Sequence, residues 1–410
     1  MKGHSMEKIA KIVVVGGGTG GITVAARLRR KSRNLKIVLI EPSDKHYYQP
    51  LWTLVGAGVV KAASTLRKES DFIPSGVEWI REKAVEFRPA ENWVRTESGA
   101  KVDYDFLVVA PGIQINLAAI PGLQQSLGQG SVGTIYFIEQ APKVWEMIRR
   151  FRGGRAVFTQ PSTPIKCGGA PQKIMYLAEE YFQKSGVRKK SEIIFAKPGN
   201  SLFGIQAFLP TLQKVVQRKE IQVNYHHDLT KIDPENRKAH FKVLQEDASS
   251  REEILDYDFL HVVPPMSAPD CVKNSPLAAT EGPHAGWLDV DIHTLQHKRF
   301  PNVFGIGDAA GLPTGKTGAA IRKQAPVLVH NLWQLIQGQS DQASWKSYGG
   351  YASCPFVTGY GKVFLAEFDY SGKPAPSFPL DPTKERYSMW LLKRYFLPFF
   401  YWHGMLRGLA

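Results

Sequence analysis

The sequence predicts an α/β protein built from two dinucleotide-binding, Rossmann-like domains and closed by a C-terminal segment that associates with a membrane. Three observations carry this. The stretch KIAKIVVVGGGTGGITVAARLRR sets a glycine fingerprint between an apolar strand and a helical run. A strand-loop-helix-strand pattern recurs in the middle of the chain, with a cysteine where a second fingerprint is due. The final stretch from Tyr387 is dense in aromatic and leucine side chains beside lysine and arginine.

A chain of 410 residues is long enough for two or three domains, and 43% apolar with 22% charged residues is the composition of a folded protein. The formal net charge of +15 favours nucleic acid, anionic membrane surfaces or anionic ligands. No basic block alternates with aromatics as a nucleic-acid groove would, so nucleic acid is set aside and a membrane surface preferred. The three cysteines, Cys167, Cys271 and Cys354, lie far apart and without metal-ligand spacing, which argues against any metal site. The opening MKGHSMEKIAK has neither the apolar core of a secretory signal nor the character of a transit peptide. Two expectations follow: the protein works where it is made, or a leader precedes this sequence.

The β-branched run Ile9 to Val15 predicts a strand, and Gly16, Gly18 and Gly21, with Gly20 among them, have the spacing G-x-G-x-x-G before a helix. The first glycine permits a tight turn, the second lets backbone approach a pyrophosphate, and the third lets helix pack on strand. A second strand, KIVLIEP, ends in Glu41, about 20 residues past Gly21, where a carboxylate can accept hydrogen bonds from a ribose. Further on, YDFLVVAPG closes a strand on a small-residue turn at Ala110 and Gly112, and NVFGIGDAA ends another in Gly-Asp at Asp308. Asp308 stands at a strand's carboxyl end, where open α/β sheets bind ligands. These three segments resemble the signature segments of the two-dinucleotide-binding-domain flavoproteins, whose aspartate matching Asp308 binds the ribityl or pyrophosphate part of FAD. The resemblance implies FAD as cofactor, held by a discontinuous domain of residues 8–118 and 299–345.

Residues 119–298 read as the second Rossmann-like domain, with a strand at RAVFTQ, a helix at PQKIMYLAEEYFQK and a strand at EIIFAK. Ile174, Leu177, Ala178, Tyr181 and Phe182 recur at helical spacing and predict one buried face. The loop PSTPIKCGGAP has no fingerprint, and the next strand ends in Lys197 and Pro198 instead of an acid. Cys167 precedes a helix that Pro171 would start. Amides, the helix dipole, Lys166 and Lys173 would stabilise a thiolate there, against the plain alternative of an inert buried thiol. Cys354 leads into an alternating run with Val363, Leu365 and Phe368 that predicts a strand packed on the core. Cys271, in a proline-rich loop beside an acid, is expected to be structural.

HYYQPLWTLVGAG, CGGAPQK, PNVFGIGDAAGLPTGKT and SCPFVTGYGKVFLAEFDY resemble the sulfide:quinone oxidoreductases, in particular the class that includes the mitochondrial enzymes. The likeness runs from the first strand to the C-terminus. It implies a redox pair at Cys167 and Cys354 and agrees with the two-cysteine class, since no cysteine precedes Cys167. Hydrosulfide would attack Cys354 and leave a persulfide there. The freed Cys167 thiolate would pass electrons to the flavin, and glutathione, sulfite or cyanide would remove the sulfane sulfur. Gln49 and Lys316 join the glycines, Glu41, Ala110 and Asp308 as expected cofactor residues, with Lys316 placing positive charge near the reduced flavin. The electrons would pass to ubiquinone or another membrane quinone, in a pocket walled by Phe356 and Tyr360.

Residues 346–410 form the last region. YSMWLLKRYFLPFFYWHGMLRGLA is interrupted by Lys393, Arg394 and Arg407 and expected to break at Pro398, too short in apolar run to span a bilayer. It reads as a monotopic interfacial anchor, its alternative being burial in the core or in a homo-oligomer. The membrane would be the mitochondrial inner membrane if a leader precedes the chain, otherwise a bacterial plasma membrane. Competing readings are a type II NADH:quinone oxidoreductase, which needs the missing fingerprint, and a non-catalytic FAD-binding membrane protein. Loss of that fingerprint predicts that NADH added anaerobically leaves the flavin absorbance unbleached; rapid bleaching would restore the nicotinamide reading.

Overall fold

A computed structural model describes residues 9–409; the opening residues 1–8, with the expected domain start at residue 8, and Ala410 of the C-terminal segment lie outside the described residues. The first sheet has five parallel strands in the order Val303–Gly305, Phe106–Val109, Lys11–Val15, Lys36–Ile40, Val77–Ile80. Four of its strands are apolar and buried beyond their first residues, as in parallel sheets covered on both faces, while the edge strand Val77–Ile80 is only partly covered. Helix Thr19–Lys31 follows the first strand and packs beside helix Gly318–Ile336. The strand Val303–Gly305 returns from far along the chain, bringing Asp308 to the same sheet edge as the fingerprint.

Backbone geometry explains two of the glycines. Gly16 has φ +99°, and a Cβ there would lie 2.3 Å from the Ala110 carbonyl oxygen. A Cβ on Gly21 would lie 1.8 Å from the Gly16 carbonyl oxygen, so helix and turn touch only because it is absent. Gly18 differs, with nothing within 4 Å of its Cβ position: the turn is open on that side.

The second sheet is also five-stranded and parallel, in the order Val132–Gly133, Phe259–His261, Gly154–Thr159, Ser191–Lys197, Gln222–Tyr225. Helix Ala170–Lys184 buries Ile174, Leu177, Ala178 and Phe182 as its spacing predicts, while Tyr181 is only partly covered. The expectation of a single buried face is corrected, because Gln172, Lys173, Tyr176 and Glu179 are buried too. The hairpin Ala352–Gly359 with Lys362–Phe368 covers Lys173, and Lys219, just past helix Leu209–Arg218, covers Tyr176 and Glu179. At the position expected for a ribose-binding acid, buried Lys197 bends to the Ser201 carbonyl. The following loop folds back on the helix, where Gln172 Nε2 donates to the Leu202 carbonyl at 2.7 Å.

The C-terminal segment is helical from Tyr387 to Met405, with wide π turns at Leu392–Phe396 and Tyr401–Met405 around an α turn, Leu397–Phe400. The break expected at Pro398 does not occur. The wider turn before it relieves the clash and missing donor that proline brings to a regular helix. The segment has two faces. Trp390, Lys393, Tyr401, Trp402, Met405 and Leu406 point inward, while Tyr387 (64% exposed), Tyr395, Phe396 and Phe399 (63%) point out. Lys393, expected as an interfacial cation, is therefore a core residue, 3% exposed. No helix among the described residues is long and apolar enough to cross a membrane.

These contacts separate two glycine substitutions three residues apart. Gly21→Ala forces backbone apart and should lower Tm by the equivalent of about 1–3 kcal/mol. Gly18→Ala should leave Tm within about 0.5 kcal/mol of the parent yet weaken cofactor retention, as calorimetry and flavin content would show.

Candidate active site

The loop after strand Gly154–Thr159 crosses from the second sheet to the first domain. Lys166 bridges to Lys316, and the Cys167 N–H donates to the Lys316 carbonyl at 2.9 Å. Cys167 takes φ +54°, a left-handed conformation uncommon for a side-chain-bearing residue and typical of functional turns. Its carbonyl accepts from the Ala170 N–H at 2.8 Å, which fixes the thiol at the entry to helix Ala170–Lys184. The hairpin brings Cys354 to this place, with its Sγ 3.9 Å from that of Cys167. Gly169 makes the approach possible: a Cβ there would lie 2.6 Å from Cys354 Sγ and equally close to the Phe356 ring. Cys354 is 3% exposed and Cys167 half-buried.

The two thiols differ in acidity. The hydrogen bond from Cys354 holds Cys167 well below the usual thiol range against the effect of burial, helped by the Lys173 and Lys393 charges. The same bond, with burial, pushes Cys354 well up. Lys173 Nζ donates to Cys167 Sγ at 3.1 Å. Burial works against the Lys173 ammonium, yet the neighbouring thiols raise its pKa. Lys393 Nζ donates to the Pro50 carbonyl at 3.0 Å, and burial with the nearby Lys173 charge brings it down to about 7.

Lys166 and Lys316 complete a set of four lysines. Burial lowers both to about 8, against the attraction of Asp308. Lys166 Nζ donates to Gln49 Oε1 at 2.7 Å, and Lys316 Nζ to the carbonyls of Asp308 and Ala310 at 2.7 and 3.0 Å. Burial raises Asp308, partly offset by Lys316 and Lys166.

The residues present fit FAD. The Cβ positions of Gly18 and Gly112 have nothing within 4 Å, which leaves backbone open to a pyrophosphate. Glu41 accepts from the Gly17 and Ser43 amides at 2.7 and 2.8 Å, at the strand end where a ribose is read. Gly307, Asp308, Lys316, Thr317 and Gln324 line a small cavity at the other strand end. Gly20 packs on Ile306 and Ala110, so that glycine serves the contact between fingerprint and Asp308 strand.

Other expected residues fall in different surroundings. Phe356 is fully buried, stacked on Phe364 at 5.1 Å between ring centroids, and walls the thiol pair from behind. Tyr360 is half-buried; its hydroxyl donates to the Ala57 carbonyl at 3.0 Å and its ring lies 6.5 Å from Trp390. Cys271 stands in the one-turn helix Asp270–Lys273, its thiol pushed up by burial. Lys393 escaped the sequence reading as a site residue; a charge inside an apolar helical run was the only signal. Also missed was a buried chain in which Tyr401 bonds Thr19 at 2.8 Å and His46 at 2.7 Å, while His46 bonds Glu69 at 2.8 Å.

A thiol pair where the loop of the second sheet meets the Lys316 segment, beside a glycine fingerprint that fits FAD, defines the class, an FAD-dependent oxidoreductase. Residues 10–144 match the model of the pyridine nucleotide-disulphide oxidoreductase family. The chain is 44% identical to the mitochondrial sulfide:quinone oxidoreductase of Mus musculus over 97% of its own length and 86% of that protein's. It is 42% identical to that of Dictyostelium discoideum, over 99% of this chain and 88% of the other. Its fold matches the solved sulfide:quinone oxidoreductase of Aquifex aeolicus with a TM-score of 0.80 at 24% identity, covering 98% of this chain and 92% of that one. The chain belongs to the sulfide:quinone oxidoreductase family.

The asymmetry of the pair predicts the order of alkylation in reduced protein. With Cys167 depressed and Cys354 raised, iodoacetamide should label Cys167 first and remain fast at acidic pH, where ordinary thiols are protonated. Lys173→Met should shift the pH midpoint of Cys167 labelling upward. Peptide mass spectrometry across a pH series checks both, and equal labelling of the two thiols would contradict the assignment.

Proposed function

We infer that the protein is an FAD-dependent enzyme that oxidises hydrogen sulfide at the Cys167/Cys354 pair and delivers the electrons to a membrane quinone. The observation that carries this is the 3.9 Å approach of the two sulfurs beside Lys173, in a chain that shares 44% identity with a sulfide:quinone oxidoreductase. In the oxidised form the sulfurs are bonded. Hydrosulfide attacks Cys354 Sγ, a new sulfur–sulfur bond forms as the old one breaks, and Cys167 leaves as a thiolate with the electron pair. A low-pKa leaving thiol makes such an exchange fast, and Lys173 stabilises the charge that appears.

Bound FAD supplies the two-electron acceptor for the Cys167 thiolate. Gly16, Gly18, Gly20, Gly21, Glu41, Gln49, Ala110, Gly112, Asp308 and Lys316 would hold it. Phe356 behind the thiols excludes water from the persulfide, which a small thiol, sulfite or cyanide then relieves of its sulfane sulfur. The outward aromatics of residues 387–399 meet the headgroups of a membrane, mitochondrial or bacterial, in the manner of tryptophan and tyrosine belts. Ubiquinone or another quinone would arrive from that side, past Tyr360.

Sulfide added anaerobically should bleach the flavin of the parent protein. Cys167→Ser and Cys354→Ser should each cut that bleaching by at least about a hundredfold, the usual scale for removing an attacking or leaving group. Substantial sulfide-to-quinone turnover in either variant would remove that cysteine from the mechanism.

A further inference from the structure

The loop that stands in place of a second ribose site has no task in the mechanism above. Residues 198–205 follow strand Ser191–Lys197 and carry Phe203, half-buried against the core. Three hydrogen bonds fix the loop: buried Lys197 donates to the Ser201 carbonyl, Gln172 Nε2 to the Leu202 carbonyl at 2.7 Å, and Ser201 Oγ to the Phe203 carbonyl at 3.0 Å. The Phe203 ring meets Phe356 edge-on at 5.1 Å between centroids, and Phe368 at 5.8 Å. The hairpin register fixes what lies beneath that ring. Ala352 pairs with Phe368, Cys354 with Ala366 and Phe356 with Phe364. Alternate residues of a strand share a face, and directly paired residues share it too. Cys354 thus lies between Phe356 and the Ala352–Phe368 pair on one face, and a ring that meets both phenylalanines spans the Cys354–Ala366 position. The entry of helix Ala170–Lys184 covers the same face from another direction, where a Cβ on Gly169 would lie 2.6 Å from Cys354 Sγ.

We propose that Phe203 is the wall a sulfur acceptor passes to reach the persulfide on Cys354, and that it sets the size of acceptor the enzyme uses. Cys354 itself is 3% exposed, whereas Phe203 has solvent on its other side, so this ring is the layer between the sulfur and the outside. In the transfer the acceptor's lone pair forms a bond to the outer sulfur, the bond from that sulfur to Cys354 Sγ breaks, and Cys354 leaves as a thiolate with the electron pair. Cyanide becomes thiocyanate and a thiol becomes a persulfide, with no further reactant. Cyanide is a two-atom rod that slips beside a phenyl ring, while a tripeptide thiol needs the ring displaced. The discrimination is steric and leaves the acidity of the pair untouched.

This role rests on the sulfide reading, and two readouts keep them apart. Phe203→Ala removes the wall and Phe203→Trp thickens it, with Phe203→Leu replacing the alanine variant if that one fails to fold. In sulfide-to-quinone turnover, the ratio of kcat/KM for glutathione to that for cyanide should rise at least about tenfold in Phe203→Ala, the scale on which a pocket wall discriminates by size. The same ratio should fall in Phe203→Trp. The second readout needs no sulfide. In a Cys167→Ser background at alkaline pH, labelling of Cys354 by a pyrenyl maleimide should speed up relative to iodoacetamide when Phe203 is also replaced by alanine, as peptide mass spectrometry would show. An acceptor ratio unmoved in both variants would overturn the proposal. If sulfide fails to bleach even the parent protein, the sulfide reading falls and the labelling ratio decides the wall: moved, Phe203 stands as the cover of Cys354; unmoved, it falls as well.

Discussion

The arrangement depends on the 3.9 Å approach of two sulfurs, one of them pushed toward the thiolate in a place nearly closed to water. An isolated buried anion costs many kcal/mol, and it persists only where a counter-charge and hydrogen bonds meet it. Lys173 provides the counter-charge at 3.1 Å, from the first turn of the helix that begins just after Cys167. Three stretches of chain must coincide for this. The loop from the second sheet carries Cys167, the C-terminal hairpin carries Cys354, and helix Ala170–Lys184 lies between, stripped of a side chain at Gly169. The fold can be read as the apparatus that brings them together.

That pair also gives the C-terminal segment an inward task. Its inward Lys393 is felt by both thiols and by Lys173, and is tied to Pro50 in the segment next to Gln49. Eight residues later Tyr401 reaches Thr19, in the first turn of the fingerprint helix, and His46 beyond it. Trp402 stacks on Phe72 at 5.1 Å. The outward aromatics and the reactive pair therefore belong to one packed body. A surface that the outer face meets is mechanically close to the thiols, with no flexible tether between them.

Much of this was legible in the sequence, and the limits have physical causes. Strand, glycine and acid in fixed order made the first sheet legible, because Gly16 and Gly21 each answer a contact with nearby backbone. The loss of the second fingerprint and the presence of Cys167 are also local facts. What a single sequence cannot show is which sides of a helix are covered. Helix Ala170–Lys184 reads as one-faced, but Lys219 and a hairpin some 170 residues on cover its polar side. Lys393 reads as an interfacial cation for the same reason. Pro398 failed as a helix breaker because the neighbouring π turns, set by tertiary packing, absorb it.

The central claim is that sulfide sulfur becomes covalently attached to one cysteine of the pair as the flavin is reduced. One anaerobic equivalent of sulfide added without quinone or sulfur acceptor, followed by rapid alkylation and peptide mass spectrometry, tests it most directly. The account requires flavin bleaching together with an added sulfur on the Cys354 peptide and a simply alkylated Cys167. Flavin bleaching with no added sulfur on either peptide would contradict it.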